Sequence, residues 1–284
     1  MTLILRKCWK DGISSYGFKY GKVGERVTCP DWHPNLCCGH GLHGLKEGNG
    51  DWELLDGDDW LIIDADDQIV DIDEDKCKFN TGIILFRGTA EELAKSEFPN
   101  KLNLNSQSAY NWAMKIGNHD IMMHKITDSE VAFDWALDIG NQDLMISKIT
   151  DPYFAYQWAK NIGNQDIMIN RINDSESAYC WALNIGNRDI MIDKITDSKY
   201  AYGWALEIGN CDIMMHKITD SYYACEWARW IGDRDVMINK VTDSANAYWW
   251  ARNIGNHDVM KPRITDCLHI DFWNQVFPDN MIIS

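Results

Sequence analysis

The sequence predicts a small β-rich α+β domain followed by an all-α solenoid of seven 23-residue helix-turn-helix repeats. Three observations carry this prediction. A 23-residue unit recurs seven times without gaps from Ser108 to Leu268. Within each copy the fixed apolar positions keep the spacing of one helix face. The chain ahead of the copies has another texture, rich in Gly, Cys and short runs of β-branched and aromatic residues.

Comparison among the copies assigns each element. With Ser108 counted as position 1, position 5 is always Trp, positions 2 and 6 are Ala, 9 is Ile, 10 is Gly and 15 is Met. Positions 2, 5, 6 and 9 form one buried stripe at i, i+3, i+4, i+7 spacing. An Asp at position 21 precedes every longer helix and is read as its N-cap; Asp151, followed by Pro152, is the clearest case. The glycine at position 10 takes the left-handed conformation that ends this helix of about 11 residues. A second fixed Asp, at position 13, is expected to cap a shorter helix running through Ile167, Met168, Ile169 and Ile172 in the third copy. Helices this short are marginal alone, so neighbouring hairpins must stack.

Both ends of the array depart from the pattern. Asn105 replaces the capping Asp ahead of the first copy. Pro262 falls inside the short helix of the seventh, where regular stacking is expected to stop. The tail, with Ile270, Phe272, Trp273, Val276 and Phe277, is expected to lie over the last open face as a lid. The resulting division is a domain at 1–98, a linker at 99–105, the solenoid at 106–268 and a capping tail at 269–284. In the first domain, Leu3–Trp9, Gly17–Tyr20, Trp60–Asp64, Ile69–Ile72 and Thr81–Phe86 read as strands. Thr89 to Glu92 read as a capping box opening a short helix that ends near Ser96.

Composition narrows the function. The chain has 284 residues, 45% of them hydrophobic, which is enough for a sizeable core. A net charge of −16 disfavours binding to nucleic-acid phosphates, including base-by-base RNA reading by the repeats. No apolar run is long enough to suggest a membrane span, and Met1–Lys10 lacks a signal pattern. Nine cysteines without framework spacing fit a compartment that keeps thiols reduced, so a cytoplasmic protein is expected.

The N-terminal region resembles an uncharacterised domain that recurs in phage and bacterial proteins, often ahead of tandem repeats. The residues that carry the likeness are Gly17–Tyr20, Val23 and Gly24, the run Cys38, Gly39, His40, Gly41, Leu42, His43, and the stretch from Trp60 through Lys76 and Lys78. The hairpins are similar to short two-helix repeats of such proteins. The resemblance implies a phage or prophage context and no particular reaction.

Candidate sites compete with packing roles. Cys29, His33, Cys37, Cys38, His40 and His43 are dense enough to suggest zinc, but lack paired C-x₂-C elements. Ordinary packing is the favoured reading, and no metal or cofactor is assigned. Cys38 with His43 is the candidate for a pocket or nucleophilic pair. Between Glu47 and Asp75 stand 13 acids and no Lys or Arg. Asp64, Asp66, Asp67, Asp71 and Asp73 could suggest a cation site, but no EF-hand pattern exists and a solvated acidic face is favoured.

The varying positions give the main functional expectation. Positions 23, 1, 4 and 8 fall on one side of the longer helix, position 12 in the turn and position 17 on the short helix. The acids outside the two fixed Asp positions and the bases outside position 18 number eight each in the seven copies, a mixed surface rather than a phosphate mimic. Repeat proteins use such ridges for recognition. His119, Arg188, Arg234 and His257 at position 12 are candidate partner-binding residues. Trp230 at position 8 and Trp249 at position 4 join them, either as exposed anchors or as residues over which the C-terminal tail folds back. The expected function is protein–protein interaction, as an adaptor or inhibitor acting on a host protein. The alternative makes the N-terminal domain an enzyme or small-ligand module, with the solenoid as its targeting arm. No catalytic motif of high specificity supports enzyme activity.

Overall fold

A computed structural model describes residues 1–66, 68–74 and 76–282. It contains the two predicted architectures, an N-terminal antiparallel sheet and a run of consecutive helical hairpins. By compactness the chain divides into two units, Met1–Thr150 and Asp151–Ser284.

The first unit begins with a seven-stranded sheet, β1 (Thr2–Cys8), β2 (Arg26–Thr28), β3 (Leu42–Lys46), β4 (Asp59–Ala65), β5 (Ile69–Asp71), β6 (Cys77–Phe79) and β7 (Thr81–Gly88). Its spatial order is β2-β7-β4-β1-β3-β6-β5. Strands β1 and β4 pair over their full length, Thr2 opposite Ala65 and Cys8 opposite Asp59. They run through the sheet centre, so Ile4, Leu5, Leu61, Ile62 and Ile63 are wholly buried, as centrally paired apolar runs require. Four of the expected strands are present. Gly17–Tyr20 is not a strand: Ser14 to Gly17 form a turn, Gly17 takes φ +80°, and only isolated bridges join Trp9 to Ile13 and Ile13 to Lys19. β2, β3 and β6 escaped the sequence reading because each is short.

Two short helices follow, α1 (Ala90–Ala94) and α2 (Phe98–Lys101). The capping box is formed: the Glu92 amide donates to Thr89 Oγ1 and the Thr89 amide donates to Glu92 Oε2. The segment expected as a plain linker therefore begins inside α2.

The hairpins repeat with little variation. Their longer helices are ten residues each, Ser106–Lys115 and Ser129–Asp138 in the first unit, and Pro152–Asn161, Ser175–Asn184, Ser198–Glu207, Ser221–Trp230 and Ser244–Asn253 in the second. The position-21 Asp caps as predicted; Asp151 Oδ1 accepts from the amides of Tyr153 and Phe154. Every position-5 Trp is fully buried, as are the Met at position 15 and the aliphatic residue at position 19, except Ile264, which keeps 3% exposure. At the helix end the Gly163 amide reaches back to the Trp158 carbonyl, with Gly163 at φ +122°. A Cβ there would meet nothing within 4 Å, so backbone conformation alone demands glycine.

The second fixed Asp is not a cap. The residue preceding the short helix is at position 11, Asn164 in the third copy, in the left-handed region at φ +56°; Asp166 is the second helical residue, where its charge favours the helix N-terminus. The signal was present, since position 11 is Asn in six copies and Asp in one, the types that tolerate this conformation best.

Stacking uses polar staples as well as indoles. Ser198 Oγ accepts from the amides of Thr219 and Asp220 at 2.8 and 3.1 Å, one repeat along, and the Lys217 ammonium donates to the Ile195 carbonyl at 2.8 Å. Ser129 and Lys148 do the same in the first unit. The fixed Lys or Arg at position 18 is therefore a structural cation. In the first unit Trp52 closes the stack at its start. Its ring centroid lies 6.0 Å from that of Trp112 and 5.9 Å from that of Trp60.

One of the C-terminal expectations needs correction. Pro262 does not halt the stack, because it sits in the first turn of a 3₁₀ segment, Lys261–Arg263, where its missing amide hydrogen costs little. The tail covers the seventh hairpin as an eighth longer helix, Cys267–Val276, capped by Asp266 and packed through Phe272 on Tyr248. Trp273 occupies position 5 of this partial copy and is fully buried, its Nε1 donating to the Asn280 carbonyl.

Candidate functional site

The varying surface is narrower than its helical spacing suggested. Position 1 is buried in Ser108, Val131 and Ser177 and half-buried in the other copies, and position 4 is half-buried throughout. Position 8 is exposed in every copy. Position 12 works locally. His119 Nε2 lies 3.1 Å from the Ala113 carbonyl, His257 Nε2 3.0 Å from that of Ala251, and Arg234 Nε donates to Ala228 at 3.3 Å. These side chains cap the free carbonyls at the end of their own longer helix. His257 also packs on Trp273 and Phe277, whereas Arg188 is simply exposed.

The sixth hairpin concentrates the departures from the repeat. An open concavity of about 710 Å³ lies at its glycine turn, lined by Arg229, Trp230, Asp233, Arg234, Asp235 and Val236 among others. Trp230 is 61% exposed and donates from Nε1 to Glu226. The Arg229 guanidinium lies 4.7 Å from the Trp230 ring centre and 5.8 Å from that of Trp249, linking the two predicted anchors through cation–π contact. The tail rings pack elsewhere, Phe272 on Tyr248 and Phe277 on His257. Trp230 is thus left in water despite the folded tail. Trp249 is half-buried.

Asp233 is the only Asp at position 11. Its carboxylate accepts from Trp227 Nε1 at 3.3 Å. Among the described residues, the indole N–H groups of Trp112, Trp135, Trp158, Trp181, Trp204 and Trp250 are buried without an acceptor. Asp233→Asn is therefore expected to cost about 1 kcal/mol, and Asn187→Asp to stabilise by a similar amount. Urea titration of the two variants checks both signs.

The N-terminal cluster has a packing role. The wholly buried Lys78 ammonium donates to Asn35 Oδ1 at 2.6 Å and to the Cys37 and Gly39 carbonyls, gathering the loop around itself. Asp31 lies between Cys29 and His40, accepting from the thiol at 3.2 Å and lying 2.8 Å from His40 Nδ1. Cys38 is exposed, and its charged neighbour is the Lys76 ammonium rather than His43. His43 stands on β3, half-buried, its Nε2 without a partner. The concavity of this domain, about 570 Å³, is lined by Lys10, Asp11, Lys22, Asp59, Arg87 and Glu92 among others and includes neither Cys38 nor His43. No group of three or more His, Cys, Asp or Glu among the described residues is arranged to hold a metal ion. Asp67 of the acidic run lies outside the described residues. Asp66 pairs with Arg26 and Asp71 with Lys46.

Burial, then the nearby Arg6, Lys76 and Lys78 cations, depress the His43 pKa from 6.5 to about 4. A folded-state value below the unfolded one means that the unfolded chain binds the extra proton first. His43 thus contributes stability that is present above about pH 6.5 and lost as pH falls toward about 4. His43→Gln is expected to lose less stability than the parent over that interval, as read by melting temperature against pH.

No family model, no curated protein and no solved structure matches this chain. Among the described residues no helix is long and apolar enough to cross a membrane.

Proposed function

We propose that the protein is a protein-binding module of the adaptor or inhibitor kind, and that the ridge around the sixth hairpin holds its partner. The observation that carries this reading is the gathering of Arg229, Trp230, Asp233 and Arg234 around one open concavity, Trp230 and Asp233 each unlike every other copy at their repeat position, with Trp249 beside the Arg229 guanidinium. An exposed indole braced by a guanidinium is rigid and amphipathic, the kind of anchor that dominates interfaces. A host protein met in a phage or prophage setting is the partner class that the N-terminal resemblance supports, and a cytoplasmic location fits the nine unbridged cysteines. Trp230→Ala with Trp249→Ala is expected to abolish capture of the partner from host lysate while the melting temperature stays that of the parent. Undiminished capture would contradict the reading, as would a melting temperature so reduced that the indoles prove to be structural.

The concavity at Lys22 and Arg87, where charges of both signs meet and Arg87 pairs with Asp59, supports a second reading, with a small polar ligand in the N-terminal domain. Ligand-dependent thermal stabilisation of the full chain, removed by Lys22→Ala, is its test.

A further inference from the structure

Asn49 is followed by Gly50, the one Asn–Gly pair among the 284 residues. Glycine has no Cβ to keep its backbone nitrogen from the carboxamide of the residue before it, so Asn49 is the most thermolabile asparagine of the chain. That carboxamide also holds two parts of the first unit together. Asn49 Nδ2 donates to the Asn103 carbonyl at 2.8 Å, and the Asn105 amide donates to Asn49 Oδ1 at 2.8 Å. Asn105 is the N-cap of Ser106–Lys115, the first longer helix. One side chain thereby clips the segment after β3 to the start of the repeats, inside the first unit. Glu47 backs the clip, accepting from the Leu3 amide at 3.0 Å and from the Asn103 amide at 3.4 Å. Asn49 and Gly50 are half-buried rather than enclosed, so water reaches them.

We propose that Asn49 is a site of spontaneous deamidation, gated by the clip it forms and irreversibly disabling it. The Gly50 nitrogen gives up its proton and attacks Asn49 Cγ. The new C–N bond closes a cyclic imide as the Cγ–Nδ2 bond breaks and ammonia leaves. Water then opens the imide at either carbonyl, leaving aspartate or β-linked aspartate. Water is consumed and ammonia released, with no oxidant or reductant. The carboxamide has to leave both hydrogen-bond partners before it cyclises, so the rate follows local opening of the clip. Once converted, the clip does not re-form. A carboxylate has no N–H for the Asn103 carbonyl, which is left facing negative charge, and Glu47, bonded to the same residue, adds a like charge. The β-linked product also lengthens the backbone between Asn49 and Gly50. The result is a one-way loosening of the first hairpin from the sheet domain, a property that goes beyond the host-binding reading and does not depend on it.

Incubation of the full chain in mildly alkaline buffer, followed by peptide mapping, tests the site. Conversion is expected at residue 49 ahead of every other asparagine, and on the order of tenfold more slowly in the folded chain than in urea, the weight of the two hydrogen bonds that must open. Asn49→Asp stands for the product. Its melting temperature is expected to fall by about 2–4 °C. Faster hydrogen exchange is expected to be confined to Asn103, Asn105 and their neighbours, a pattern that general destabilisation would not give. The aged parent, separated from unconverted chain by ion exchange, is expected to show the same pattern. A folded chain that keeps Asn49 through an incubation long enough by that measure overturns the proposal, as does one that converts as fast as in urea. So does parent-like melting and exchange in the variant and the aged chain.

Discussion

Trp181→Ala is expected to lower the stability of the protein by about 3–5 kcal/mol, more than any surface substitution. Trp181 is fully buried in the middle of the second unit, with Ala178 and Ala182 on the same stripe. A ten-residue helix cannot hold itself together in water, so the hairpin exists only while its indole fills the space against its neighbours. The cost falls toward the lower end of the range, because the lost indole also carries an N–H without an acceptor. In a stack whose members contact only their neighbours, a weak central hairpin also uncouples the copies on either side. Urea unfolding followed by circular dichroism is expected to show a lower midpoint and a broader transition. A parent-like curve would show that the indole column does not carry the stack.

Trp52→Ala should have a comparable effect within the first unit, again about 3–5 kcal/mol. Trp52 keeps 2% of its surface exposed, covers both Trp60 of the sheet and Trp112 of the first hairpin, and donates from Nε1 to the Gly48 carbonyl. Its removal opens a cavity between the domain and the first repeat and leaves Trp112 without its outer neighbour. Thermal unfolding and tryptophan fluorescence should report the loss together. An unchanged melting temperature would mean that the sheet domain is not the cover of the first hairpin.

The repeats were legible in the sequence because seven tandem copies serve as their own comparison. Trp at position 5, Ala at 2 and 6 and Asp at 21 admitted one explanation each, and the packing agrees with it. Where two chemistries produce the same pattern, the reading failed. An Asp at position 13 serves a helix N-terminus equally as cap or as second residue, and only the left-handed asparagine before it decides the matter. Trp273 does not stand out as a position-5 residue in the sequence, because Phe277 and Pro278 replace the Ile and Gly that mark the other copies. The capping box at Thr89 needs only local chemistry and was found. Strands β2, β3 and β6, with three to five residues each, depend on partners distant in sequence and were not.

The candidate site was visible only in part. Trp230 and Trp249 stood out as aromatic residues at polar positions, but nothing in the sequence showed that Arg229 lies close to both rings. Position 12 looked free to vary because histidine, arginine and cysteine can each address the same backbone carbonyl, as His119, Arg234 and Cys211 do. Diversity of side chain hid a shared role.

The central claim is that the position-5 indoles form the interior of the stack while Trp230 faces outward. Fluorine NMR on protein labelled with 5-fluorotryptophan tests it most directly, through the change in each resonance between light and heavy water. The account predicts a solvent-isotope shift for the resonance that disappears in Trp230→Phe, and none for those that disappear in the corresponding variants of Trp158, Trp181 and Trp204. A solvent shift at any of those three, or its absence at Trp230, would contradict it.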